Sequence, residues 1–177
     1  MRIIPLALAI ALAVSAVSAA ACAQHTPRSH AAHHPPVQTA DSGIAALQNR
    51  GAQAMGVDQY TSTHRFDSLV DGGRIELQRG ADDPEGVAAI RAHLASIAQA
   101  FAAGDFRTPG FVHAGTVPGT EVMAARRASI RYTYRDLPRG GEVRITTADA
   151  EALRAIHAFL AFQRGDHRAA GEVHSHL

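Results

Sequence analysis

Twice along the chain, a stretch of alternating hydrophobic and polar residues is followed by a second such stretch and then by a helical rhythm. In the first pass, His64-Arg65-Phe66-Asp67-Ser68-Leu69 alternates like a strand, and Arg74-Ile75-Glu76-Leu77-Gln78 alternates again with Ile75 and Leu77 on one face. Asp71-Gly72-Gly73 between them predicts the turn. DPEGVAAIRAHLASIAQAFAAG then predicts a helix capped by Asp83, with Pro84 in its first turn and Gly104 at its end. Val87, Ile90, Leu94, Ile97 and Phe101 form its apolar stripe.

In the second pass, Ile130, Tyr132 and Tyr134 share a strand face, Arg139-Gly140-Gly141 predicts the turn, and Val143 and Ile145 face inward. Asp149 then caps DAEALRAIHAFLAFQ, with Leu153, Ile156 and Leu160 on its apolar face. Aligning Asp83 with Asp149 matches Glu85 with Glu151, Ile90 with Ile156 and Leu94 with Leu160. A lone hairpin is marginal in water, so the economical arrangement pairs the two. The expectation is an α+β fold: two ββα repeats forming one antiparallel four-stranded sheet packed under two helices.

The flanks read differently. Residues 1–23 carry one charge, Arg2, then an apolar run from Ile3 to Val17 and a string of small residues. That is the pattern of a secretory signal peptide, with Ala21-Cys22-Ala23 as the cleavage pattern. An alternative is a lipobox ending at Cys22, which would anchor the chain by a lipid. The expected location is therefore periplasmic or secreted, or lipid-anchored through Cys22, with no transmembrane span after processing. Residues 24–41 hold three prolines and four histidines and too few apolar residues to fold, and predict a disordered tail. A single domain is expected over residues 42–168, after which residues 169–177 form a flexible tail. Its opening helix, capped by Ser42 or Asp41, carries Ile44, Leu47 and Met55. Repeat one spans about 62–104 and repeat two about 129–167. The connector, 105–128, is expected to be largely irregular, with one or two helical turns between Glu121 and Arg127.

Composition removes several chemistries. All 17 basic residues are arginine, so there is no lysine for a Schiff base or a P-loop. The one cysteine is Cys22, so the domain holds no disulfide and no thiol nucleophile. Tryptophan is absent, aromatics are 5% and the formal charge is +1, which argues against nucleic acid. There is no G-x-S-x-G elbow and no dinucleotide fingerprint. Asp82-Asp83 reads better as a helix cap than as a catalytic pair, and Arg126-Arg127 as a solvated surface. No catalytic residue is assigned.

Eleven histidines remain. Imidazole suits copper, zinc and nickel, and a thioether added to imidazoles favours copper, above all Cu(I). His64 shares a strand face with Phe66, His93 lies about 60° around the helix from Ile90, and His113 is in the connector, ten residues before Met123. Only tertiary folding could bring these together, and His64, His93, His113 and Met123 form the candidate metal set. His157 and His167 are weaker candidates, about 15 Å apart if both are helical. The tails add His25, His30, His33, His34, His174 and His176 as loose metal-capturing residues. The function expected is an exported metal-binding protein, a periplasmic copper buffer or carrier. The alternative is a non-enzymatic cell-envelope interaction module, with an envelope protein as partner and no specific metal site.

The segments HRFDSLVDGGRIEL, HLASIAQAFAAGDFRTP, PGTEVM, YTYRDLPRGGEVRITT and AIHAFLAFQRGDH together resemble a family of small, uncharacterised exported proteobacterial proteins. The resemblance covers roughly residues 50–167 and implies export but no chemistry. Some relatives bear the label aspartate carbamoyltransferase. Such enzymes need an S-T-R-T type loop, a lysine and a longer two-domain chain, none of which this sequence has.

Overall fold

The computed structural model describes residues 39–58 and 61–167. The expected signal segment, most of the His/Pro-rich tail and the C-terminal tail lie outside the described residues, and with them Cys22, His25, His30, His33, His34, His174 and His176. The described elements, in order, are α1 (Thr39–Met55), β1 (Ser62–Leu69), β2 (Gly72–Arg79), α2 (Pro84–Ala102), α3 (Arg107–His113), α4 (Thr120–Ala125), β3 (Ile130–Leu137), β4 (Gly140–Thr147) and α5 (Ala150–Asp166). A 3-10 turn, Arg127–Ser129, leads into β3.

The fold is α+β, with one antiparallel sheet in the order β1-β2-β4-β3. Two ββα units fit this layout. They meet at β2 and β4, where Ile75 lies opposite Val143. Each hairpin is covered by the helix of the other unit: α2 packs chiefly on β3 and β4, and α5 on β1 and β2. The shared core contains Ile75, Leu77, Ile90, Leu94, Val143, Ile145, Ile156 and Leu160, all buried. The opposite face of the sheet carries charge. Arg135 pairs with Glu142 at 2.9 Å, and Arg74 pairs with Asp67. No single described helix is long and apolar enough to cross a membrane.

Both long helices start as their sequences require. The Asp83 carboxylate accepts from the Gly86 N–H, and that of Asp149 from the N–H groups of Glu151 and Ala152. Val87, expected on the α2 stripe, is only half-buried. The first turn of α2 is held by an Arg79–Asp83 ion pair of 2.7 Å.

Three expectations need correction. The glycine pairs are not the turns. Gly72-Gly73 and Gly140-Gly141 open β2 and β4, and the turns are Val70-Asp71 and Pro138-Arg139. Their purpose is close approach. A Cβ on Gly73 would come within 2.1 Å of the Leu160 side chain, and one on Gly141 within 3.3 Å of Leu94. Each helix therefore sets a leucine into the gap left by the other unit's glycine. Secondly, the connector holds more helix than expected: α4 and the 3-10 turn match the turns expected between Glu121 and Arg127, but α3 was not foreseen, and it buries Pro109 and Val112 as α4 buries Thr120 and Met123. A segment of that length in a compact domain seldom stays without structure of its own. Thirdly, α1 begins at Thr39, upstream of both expected caps.

Candidate functional site

Five histidines are among the described residues, and four of them line one cavity of about 90 Å³. They come from four parts of the chain: His64 from β1, His93 from α2, His113 from the end of α3 and His167 from the residue that closes α5. The apolar wall includes Phe66, Ile75, Leu77, Leu94, Phe101 and Phe159. Helix α1 contributes Gly51, Ala54 and Met55, and its Arg50 Nε donates to the Val112 carbonyl of α3 at 2.7 Å. The two helices are thus tied together beside the cavity. Arg164 donates to the Phe66 carbonyl at 2.6 Å, which fixes the end of α5 against β1.

Three of the four rings are in contact. His167 packs edge-on against His113, with centroids 5.0 Å apart, lies 5.9 Å from His64 and stacks on Phe66 at 5.7 Å. His113 Nδ1 lies 2.5 Å from Asp166 Oδ2, and its Nε2 lies 2.9 Å from the Gln163 side-chain oxygen. Its side chain is only 2% exposed. A ring N–H of His93 donates to the backbone of Ala54.

Burial favours the neutral form of His64, His93 and His167. Desolvation, assisted by the nearby His93, pushes His64 down to about 4. Desolvation, then His113 and His64, pushes His167 down to about 4 against the opposing pull of Asp166. Desolvation also lowers His93, partly offset by its hydrogen bond to Ala54. Near neutral pH these rings offer lone pairs, the form in which imidazole ligates a metal.

The expected metal set is therefore divided. His64, His93 and His113 come together, and His167 joins them. Met123 does not: it is fully buried in α4 and is not among the residues that line the cavity. The thioether at the cavity is Met55. His157 is elsewhere, with Nε2 at 2.8 Å from the Leu69 carbonyl and 3.1 Å from that of Gly72, where it braces the first hairpin. Among the described residues, no three His, Cys, Asp or Glu side chains stand close enough to hold one ion. The four imidazoles share a cavity without forming a finished coordination sphere.

Gln163 and Asp166 were not singled out in the sequence, although a signal exists. Gln163, Asp166 and His167 are spaced i, i+3 and i+4, which places them on one face of α5.

The positions of the histidines have counterparts in the other unit. His64 and Tyr132 are each the third residue of their strands, β1 and β3. Counted from the caps Asp83 and Asp149, His93 matches Phe159, and His167 matches Phe101. Those counterparts also touch: Phe101 lies edge-on to Tyr132 at 5.8 Å and to Phe159 at 5.7 Å. One set of positions thus holds aromatic rings and the matching set imidazoles, and Phe101 and Phe159 meet the imidazoles at the cavity wall.

Comparison of the chain with protein-family models, with curated proteins and with solved structures finds no match.

Proposed function

We propose that this is an exported metal-binding protein, a periplasmic copper buffer or carrier whose site is the cavity of His64, His93, His113 and His167. One observation carries the reading: four of five described histidines line a single apolar cavity, and three of them, His64, His93 and His167, stand at positions whose counterparts are filled by Tyr132, Phe159 and Phe101. The fold packs well with phenyl and phenol rings there, so packing alone does not call for imidazole. Buried neutral imidazoles are donors for copper, zinc or nickel, and the thioether of Met55 tilts the set towards copper. Export is supported by the apolar run of residues 3–17 and the small residues that follow. Binding would draw the rings inward by side-chain rotation, since they are not in reach of one ion as they stand.

That last fact favours a second reading, a non-enzymatic envelope interaction module whose histidines are structural. Equilibrium dialysis of the full chain against Cu(I) and Cu(II) separates the two. The copper reading expects one ion per chain that His93→Ala removes, and Met55→Leu weakening Cu(I) more than Cu(II). Equal copper content with and without His93 would leave only the tails binding and would support the second reading.

A further inference from the structure

Helices α2 and α5 cover one face of the sheet, and the other face carries no helix among the described residues. Two neighbouring cross-strand rows fill the centre of that open face. From β1 to β3, one row reads Arg65, Glu76, Glu142, Arg135, and the other reads Asp67, Arg74, Arg144, Thr133. The signs run plus, minus, minus, plus in the first row and minus, plus, plus, neutral in the second. Glu76 therefore stands opposite Glu142, and Arg74 opposite Arg144. Like charges placed so cost a lone sheet stability.

We propose that this open face is an interface between two copies of the chain, related by a two-fold axis that crosses the strands between the two rows. The proposal does not depend on what the histidine cavity holds. Turning a copy over about that axis keeps each strand on its own counterpart and lays one row on the other. Arg65 then faces Asp67 of the copy, Glu76 faces Arg74, and Glu142 faces Arg144. Each is an opposite pair, and symmetry makes each one twice. A two-fold along the strands would instead set Arg65 on Arg135, Glu76 on Glu142 and Arg74 on Arg144. Those are all like charges, so the pattern selects one arrangement and rejects the other.

The contact is of the weak, reversible kind. Asp67 and Glu142 are buried under the arginines that hold them, so the copies attract through facing charges more than through new hydrogen bonds. Four strands of eight residues present roughly 500 Å² a side, or about 1,000 Å² in all, the low end for a specific contact. Thr133 is the neutral place in the two rows. It is exposed, and it faces Arg135 of the copy, a side chain 67% exposed within one chain.

Sedimentation equilibrium of the full chain, at up to about 0.5 mM in ~50 mM salt, tests the proposal. A monomer–dimer equilibrium is expected, and raising the salt to about 0.5 M should weaken it. Thr133→Glu completes the pattern and should tighten the dimer roughly tenfold, while Thr133→Arg should loosen it by as much, since each acts at two contacts. Both replace an exposed edge residue, so their circular dichroism should match the wild type. Thr133→Arg mixed with Arg135→Glu should associate again, because the two then face each other with opposite charge. Ser96→Arg, on the exposed side of α2, should change nothing. A chain that stays monomeric throughout would overturn the proposal and leave the face to another occupant. A dimer of equal strength in wild type, Thr133→Glu and Thr133→Arg would overturn it by placing the contact elsewhere. A loss in Ser96→Arg equal to that in Thr133→Arg would do the same, by reducing the effect to net charge.

Discussion

The two ends of the sheet use equivalent positions for different chemistry. At one end Tyr132, Phe159 and Phe101 meet edge to face, joined by Phe106 at 4.5 Å from Phe101. At the other, His64, His93 and His167 occupy the matching strand and helix positions, joined by His113. Phe101 and Phe159 are about 1% exposed and form part of the apolar wall of the cavity, whose polar lining the histidines supply. Aromatic burial stabilises a fold directly, while desolvating an imidazole that must stay neutral adds nothing comparable. The difference teaches that one end secures the fold and the other spends packing on a group of lone pairs.

The sharpest way to break this comparison is to delete a ring from the stable end. Phe159→Ala should cost about 3–5 kcal/mol in urea unfolding, because a fully buried ring leaves a cavity behind. A cost below about 0.5 kcal/mol, the range of surface substitutions, would show that the aromatic end does not hold the fold.

Acid should act on the other end. The folded-state values of His64 and His167, about 4, lie below the unfolded value of 6.5. The unfolded chain therefore takes up protons first as pH falls. The stability linked to these rings is whole above about 6.5 and is lost as pH drops from 6.5 towards 4. Urea midpoints measured across that window should fall, and should fall less in His167→Phe. A flat wild-type profile would mean that the rings are already solvated.

Making the histidine end resemble its counterpart should cost little. His93→Phe with His167→Phe fills space beside an existing cavity, and stability should change by less than about 1.5 kcal/mol or rise. A larger loss would show that the imidazoles are structural. The smallest effect belongs to Tyr132, whose buried hydroxyl has no hydrogen-bond partner among the described residues. Tyr132→Phe removes a desolvated polar group, so thermal stability should stay level or rise slightly.

The ββα-ββα arrangement was legible because its signals are local. Ile75 and Leu77, and Val143 and Ile145, alternate, and Asp83 and Asp149 cap the helices that follow. The crossed helices and the roles of Gly73 and Gly141 were not legible, since both depend on which hairpin each helix covers. The cavity follows the same division. His64, His93 and His113 could be grouped by residue type, but choosing Met55 over Met123 depends on where α1 and α4 dock. His167 follows the second helix, as its sequence suggests, but that α5 runs on to Asp166 and so delivers it to the cavity depends on how the helix docks.

The central claim is that the imidazoles are there for a metal and not for packing. Copper content per chain after equilibrium dialysis, compared between the full-length wild type and the His93→Phe, His167→Phe variant, tests it most directly, because tail copper cancels in the difference. The account predicts one copper fewer per chain in the variant, with an unchanged circular dichroism spectrum. Equal copper content in the two folded proteins would contradict it.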